Sequence, residues 1–208
     1  MIKNNKILRI LAVLVMAVGF CLPSYSGAPQ IMKRASALMD RASGIDATFT
    51  MTTGGRSVKG SLKSSAAGFV LTTPSYTSWY DGRNLWTYNA SARETTLTLP
   101  SKEELCEANP MMMVSGYANA FTAAFAKKQT AGTHTIVLLP KSRKSGLKNV
   151  VLVIDSRTYK PTRITVNPAS GASVSVAIHS LRTDAKFSKS SFTYPKSKYP
   201  KVEVIDLR

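Results

Sequence analysis

The chain has 208 residues, of which 44% are hydrophobic and 19% are charged, a composition typical of one globular domain rather than of a disordered chain. Lysine and arginine number 28 against 11 acidic residues, so the net charge is +17. Two histidines, two cysteines and no glycine-rich phosphate loop argue against a structural zinc site, a dinucleotide-binding enzyme and a kinase.

The first 26 residues have the layout of a secretory signal peptide. Three basic residues precede an apolar run over 10–20, and small residues lie before the expected cleavage after Ser26. The run is shorter than the about 20 residues that a membrane anchor needs. A lipoprotein signal is the alternative because Cys21 ends the run, but Phe20 stands where that signal needs a small residue. We expect export to the periplasm and a single mature domain over 27–208.

Three helices are predicted from periodicity and capping signals. A period near 3.6 and a following glycine predict the first helix over 29–43. A capping box of serine and glutamate predicts a second helix over 102–108. An Asn-Pro pair then begins a short third helix with its body at 111–114.

Short strands at regular intervals account for the rest of the mature chain. Period-two alternation and turn pairs such as Gly54-Gly55 and Asp81-Gly82 mark them. The predicted strands are 46–51, 58–63, 68–72, 78–80, 84–88, 95–99, 121–127, 134–139, 149–154, 162–166, 173–179 and 201–205. Many evenly spaced strands with helical insertions predict one large antiparallel sheet or barrel.

The arrangement of the candidate residues disfavours catalysis. Ser145 and Lys148 match the Ser-x-x-Lys pattern of penicillin-recognising enzymes, but that pattern opens a helix and here it lies in a predicted turn. His134 and His179 lie in predicted strands without an acid and a serine at the spacing of a triad. Cys106, the remaining cysteine after export, has no nearby base, so we expect a buried, inert thiol.

The basic excess has several interpretations. Nucleic-acid binding is disfavoured because lysine and arginine are spread through turns and polar strand faces, and because export removes the chain from cellular nucleic acid. Solubility, protection of strand edges and attraction to anionic lipid surfaces all remain open.

Bulky apolar residues form the other signal. Met111, Met112 and Met113 are consecutive and so point to different sides of a short predicted helix. Methionine suits surfaces that repack around variable apolar ligands. The predicted strands carry Phe49, Met51, Phe69, Leu71, Trp79, Leu85, Trp86 and Phe121. Two interpretations are open: an ordinary core beneath a helix, or the lining of a ligand cavity.

Several segments resemble one family. The apolar strand 68–72 is followed by Trp79-Tyr-Asp-Gly-Arg-Asn-Leu-Trp-Thr-Tyr-Asn89, which is similar to a segment of the LolA family, periplasmic carriers of outer-membrane lipoproteins. Residues 38–49 resemble its first helix and strand, Asn109-Pro-Met-Met-Met resembles its internal lid, and 192–206 resemble its last strands. The resemblance covers nearly all of 30–206 in order.

The resemblance implies a mainly β fold: an incomplete, strongly curved antiparallel β-barrel closed by the N-terminal helix and a short internal helical lid. It implies a hydrophobic cavity for acyl chains, no reaction, no cofactor and no metal. The eleven apolar residues named above would be its lipid-binding residues. The implied partners are acylated lipoproteins, an inner-membrane release complex and an outer-membrane acceptor, and we expect a monomer that contacts membranes peripherally.

One position departs from the family pattern. Better-studied members carry an arginine after the third strand that helps to latch the lid, and the matching stretch here has Lys63, which lacks the planar guanidinium. The departure leaves open a periplasmic lipid-sensing or envelope interaction module of the same fold. The Ser-x-x-Lys match leaves a secreted hydrolase using Ser145 and Lys148 as a further alternative.

Overall fold

The computed structural model describes residues 27–109 and 111–208, so the expected signal peptide and Pro110 lie outside the described residues. In this part of the chain twelve strands form one sheet, and each predicted strand is present with modest shifts in its ends. The strands are β1 (Ile45–Thr53), β2 (Arg56–Ser65), β3 (Gly68–Thr72), β4 (Tyr76–Tyr80), β5 (Leu85–Asn89), β6 (Glu94–Thr98), β7 (Phe121–Phe125), β8 (Thr133–Pro140), β9 (Leu147–Asp155), β10 (Pro161–Pro168), β11 (Val174–Arg182) and β12 (Glu203–Asp206).

The sheet is open. Its order is β12-β6-β5-β4-β3-β2-β1-β11-β10-β9-β8-β7, so two meanders join where β1 pairs with β11, and β7 and β12 are its edges. The predicted mainly β, incomplete curved barrel is confirmed. One pair differs from the antiparallel expectation, because β12 runs parallel to β6 with Glu203 opposite Glu94. A parallel pair needs a long connection, which the returning segment 183–202 supplies.

The first helix, α1 (Ala28–Asp40), packs its apolar face on the sheet. Ile31, Met32 and Ala35 are almost fully buried. The helix ends three residues earlier than predicted, because the chain leaves it in time for the carbonyl of Gly44 to accept a hydrogen bond from the Ala185 N–H at 3.0 Å. Hydrophobic periodicity cannot predict this contact, because it joins residues that are far apart in the sequence.

Three short helices follow β6: α2 (Lys102–Ala108), α3 (Met112–Ser115) and α4 (Tyr117–Ala120). The prediction of α2 is confirmed at both ends. The third predicted helix is α3, but α4, which follows Gly116 directly, was not predicted. We call Asn109 and residues 111–120 the lid, because their buried side chains join those of α1 and of the sheet in one apolar core.

The capping box of α2 makes a pH-dependent contribution to stability. The Ser101 N–H donates to the Glu104 carboxylate at 2.7 Å. Hydrogen bonds from the backbone and side chain of Ser101 lower the pKa of Glu104. The stabilisation is complete above the ordinary glutamate pKa of about 4.3 and is lost as the pH falls through the lowered value. Glu104→Gln keeps the hydrogen bond but does not titrate, so its α2 should lose less protection from amide exchange on acidification than that of the unmodified protein. Equal losses in the two proteins would contradict this assignment.

Candidate functional site

A cavity of about 100 Å³, the inner cavity, lies between the sheet, α2 and the start of the lid. Apolar side chains of β1, β2, β3, β10 and β11 form its walls, and Ala108 and Met111 cover it. Tyr76 and Ser78 are its polar members: burial raises the pKa of the Tyr76 phenol, which stays neutral, and the Ser78 hydroxyl lies 3.2 Å from that of Thr87. Among the described residues, no charged side chain lines the inner cavity.

A second cavity of about 310 Å³, the outer cleft, lies between the end of α1, the β2–β3 turn and the lid. Its lining mixes apolar side chains, among them Phe69 and Met112, with the polar residues Asp40, Ser64 and Ser115. Hydroxyls and a carboxylate beside hydrocarbon suit the polar end of an amphiphilic ligand better than they suit an acyl chain.

Met111 separates the two spaces, because its side chain lines both of them and is only 7% exposed. Its N–H donates to the Oδ1 atom of Asn109 at 3.2 Å, and Asn109 is itself buried. A flexible thioether held on a fixed backbone can change rotamer without disturbing the helices. Movement of this one side chain would connect the outer cleft with the inner cavity.

Three side-chain hydrogen bonds help to hold the lid. The Ser36 hydroxyl donates to the carbonyl of Ser115 at 2.7 Å, and the Tyr117 hydroxyl donates to the carbonyl of Pro29 at 3.0 Å. The ammonium of Lys141 donates to the carbonyl of Ala118 in α4 at 2.7 Å. Each such bond contributes about 0.5–1.5 kcal/mol, in addition to the burial of the lid's apolar side chains in the core.

Lys63 does not take part in this attachment. It is exposed on β2 next to buried Leu62, so its side chain lies on the outer face of the sheet. The two ion pairs found in the described part of the chain, Asp46–Arg182 and Asp206–Arg208, also lie outside the lid. The side-chain hydrogen bonds to the lid are therefore made by hydroxyl and ammonium groups and not by Lys63.

Ser36→Ala should loosen the lid. Loss of its hydrogen bond to Ser115 should cost about 1 kcal/mol and raise the open population of the lid about fivefold. Hydrogen exchange of the α3 and α4 amides measures this change. Ser57→Ala serves as the control, because that hydroxyl contacts Thr52 at 2.8 Å on the outer face. Equal exchange in all three proteins would show that Ser36 does not restrain the lid.

Most of the predicted lipid-binding residues lie near the two spaces. Phe49, Met51, Leu71 and Met111 line the inner cavity, and Phe69, Met111 and Met112 line the outer cleft. Met113 and Leu85 are buried in the adjoining core, and Phe121 is half-buried against it. Their binding of lipid stays a prediction.

Several cavity residues were not proposed from the sequence. They are Ala47, Leu62, Tyr76, Ile164, Val174, Val176 and Ile178. The alternation of valine and isoleucine over 173–179 does indicate one shared face, but it does not identify which part of the sheet that face opposes. Pairing of β11 with β1, Val176 opposite Met51, decides this.

The two tryptophans were wrongly assigned to the cavity-facing side. Val70 pairs with Trp79, which in turn pairs with Trp86, so these three residues share one face. Phe69 and Leu71 flank Val70 in β3 and therefore point to the opposite face, toward the lid. Because β4 and β5 carry tyrosine, leucine or tryptophan side chains on both faces, their sequence does not distinguish the two sides.

The outer face of these strands is covered by a returning segment, residues 186–202, which we call the belt. The Tyr194 ring stacks on Trp86 with centroids 4.9 Å apart and meets Trp79 edge-on at 5.4 Å. Tyr199 packs on Tyr194 at 5.6 Å and on Tyr88 at 4.6 Å. The tryptophans thus belong to a second apolar cluster outside the barrel.

In the described part of the chain the catalytic candidates form no hydrogen bond with one another. Ser145 lies in a turn, where its hydroxyl accepts from the Leu147 N–H at 3.2 Å, and Lys148 is exposed in β9. His179 contacts Thr50 on the outer face, 2.8 Å from its hydroxyl. In the described ranges no cluster of three or more potential metal ligands occurs, and none of the helices there is long and apolar enough to cross a membrane.

A family model described as outer membrane lipoprotein carrier protein LolA matches residues 25–170. No curated protein matches the chain. Among solved structures, an uncharacterised conserved protein from Thermus thermophilus is 12% identical, with a TM-score of 0.57 and coverage of 86% of this chain and 98% of that one. This similarity supports the fold.

Two further solved structures are more distant. A putative outer membrane lipoprotein-sorting protein domain from Vibrio parahaemolyticus is 13% identical, with a TM-score of 0.47 and coverage of 84% of this chain and 98% of that one. A LolA superfamily protein from Nitrosomonas europaea is 11% identical, with a TM-score of 0.43 and coverage of 81% and 98%.

Proposed function

Because the chain belongs to the family of outer membrane lipoprotein carrier proteins, we propose that it shields the acyl chains of lipoproteins and carries them across the periplasm. The observation that carries this proposal is the uncharged inner cavity under a methionine-bearing lid, beside the more polar outer cleft. Acyl chains would enter the inner cavity once Met111 moves, and the polar end of the lipid would remain in the outer cleft.

The energetics require such a shield. Each methylene transferred to water costs about 0.8 kcal/mol, so three acyl chains of about 15 methylenes each would cost roughly 36 kcal/mol. No lipoprotein leaves a bilayer unaided at that cost. An apolar cavity offsets it without any chemical reaction, so the proposed role is non-catalytic and needs no cofactor.

The lid must open for this role. The inner cavity of about 100 Å³ is smaller than the about 300–1,000 Å³ typical of small-molecule sites, so acyl chains would need a larger, open form. Release of the lid from the core would join the two spaces and enlarge them. An inner-membrane release complex would load the open form, and an outer-membrane acceptor would empty it.

Native mass spectrometry of protein purified from the periplasm, together with a lipid-transfer assay, tests the proposal. We expect a complex with a triacylated lipoprotein and none with the same lipoprotein lacking its acyl chains. Failure to accept the triacylated form under any loading condition would refute carriage.

The small inner cavity favours a second candidate function. In a lipid-sensing or envelope interaction module of the same fold, the interior would stay filled and the outer cleft alone would receive a ligand or partner. Such a protein would bind a single-chain amphiphile with its lid protected from amide exchange, whereas a carrier would expose its lid on loading.

A further inference from the structure

The belt combines a buried aromatic side with a strongly basic exposed side. Phe192 is fully buried and Tyr194 is 6% exposed, so these two residues fix the segment on the outer face of β3 to β6. Its exposed side carries five lysines and no acidic residue: Lys186, Lys189, Lys196, Lys198 and Lys201. The positive side chains are therefore held together on an anchored backbone.

Neighbouring acidic residues do not neutralise the belt. Asp184 precedes it and Glu203 follows it, outside the lysine-bearing stretch. Asp206 is engaged by Arg208, whose guanidinium lies 2.6 Å from the carboxylate. In the described part of the chain, no ion pair involves a belt lysine, so all five ammonium groups are available to an anionic partner.

The start of the belt packs beside the outer cleft, and its end leads into the edge strand β12. At its start, Phe187 and Phe192 pack beside Gly44 and Gly68, and a Cβ on Gly68 would lie 3.1 Å from the Cβ of Phe192. Gly68 also lines the outer cleft. At its end the belt leads into β12, where Val204 and Leu207 are exposed by 36% and 62%.

We propose that the belt docks the protein on anionic membrane surfaces and so holds the outer cleft close to the lipid. Basic residues near an anionic bilayer typically strengthen binding about fivefold each. Tyrosine and tryptophan suit the boundary between headgroups and hydrocarbon, and the half-buried Trp86, Tyr88 and Tyr199 lie beneath these lysines. The proposal concerns surface attachment and does not require that the protein carry acyl chains.

Flotation with vesicles of phosphatidylcholine alone, or with phosphatidylglycerol added, tests the proposal on the purified protein. We expect binding only to the anionic vesicles, with loss at about 0.5 M salt, where screening shortens the Debye length well below its physiological value of about 8 Å. The fluorescence of Trp79 and Trp86, the only tryptophans in the chain, should be quenched by brominated phosphatidylglycerol because both lie under the belt.

Two variants of equal charge separate the belt from the overall positive charge. Replacing the five belt lysines by glutamine should weaken vesicle binding by roughly tenfold or more. Replacing five exposed lysines elsewhere by glutamine should weaken it by less than about threefold. These control positions are Lys59, Lys127, Lys128, Lys144 and Lys148.

Equal losses in the two variants, equal binding to both kinds of vesicle, or no binding of the unmodified protein would each overturn the proposal. Retention by an acidic protein surface without vesicle binding would also overturn it. If the belt variant fails to fold, the salt dependence and the tryptophan quenching of the unmodified protein still test the docking. A protein that floats through its belt but accepts no lipoprotein would refute carriage and leave membrane docking standing.

Discussion

Met111→Asp should weaken the binding of an acyl-chain probe by roughly a hundredfold, corresponding to about 3 kcal/mol for a carboxylate placed in a hydrocarbon environment. Met111 is the residue shared by the inner cavity and the outer cleft, so its charged replacement would lie in the path of every entering chain. Titration with a fluorescent fatty-acyl probe measures the dissociation constant. Far-ultraviolet circular dichroism checks that the sheet is retained.

Two matched variants make this prediction specific. Met111→Leu changes the volume little and should bind the probe within about tenfold of the unmodified protein. Met112→Asp alters a half-buried side chain that lines the outer cleft but not the inner cavity, and it should have a smaller effect than Met111→Asp. Unchanged binding by Met111→Asp, or a larger loss in Met112→Asp, would contradict the gating role of Met111.

Tyr194→Ala should lower the free energy of unfolding by about 3–5 kcal/mol, as expected for removal of a buried aromatic ring. The ring contacts both tryptophans and Tyr199, so its loss leaves a void beneath the belt. For a chain of this size the melting temperature should fall by about 2–4 °C per kcal/mol. Tryptophan emission should shift to longer wavelength, because water reaches the exposed rings.

The conservative variant Tyr194→Phe provides the control. It keeps the stacked ring and removes only the hydrogen bond that the Thr95 hydroxyl donates to Tyr194 at 3.2 Å. We expect a loss of about 1 kcal/mol and unchanged tryptophan emission. If Tyr194→Ala left both stability and emission unaltered, the belt would not be a structural part of the domain.

The positions of the elements follow closely from local sequence signals. The alternation at 173–179, the glycine turns and the capping box of Ser101 and Glu104 each depend on residues only a few positions apart. Such signals act through backbone conformation and short-range hydrogen bonds, so they can be interpreted without knowledge of the rest of the chain. The C-terminal end of α1 and the existence of α4 were missed because distant backbone contacts decide them.

The two faces of the sheet could not be distinguished in the same way. Phe69 and Trp79 are both apolar, large and buried, and they lie on opposite sides of the sheet. The difference arises because the belt returns more than a hundred residues later to cover one side, while α1 and the lid cover the other. A sheet with an apolar cover on both faces lacks the polar alternation that would identify its solvent side.

By itself the sequence determined twelve short strands, a helix before them, a capped helix with a methionine-bearing segment after β6, and the resemblance to a family of carriers. The tertiary structure alone decided which side chains enclose the inner cavity, how little space the closed lid leaves, and that the tryptophans belong to the belt cluster. The physical reason is the separation along the chain of the residues that interact. Secondary structure is specified by neighbouring residues, whereas burial and cavity volume depend on pairings between residues far apart in the chain, such as Phe49 with Ile178.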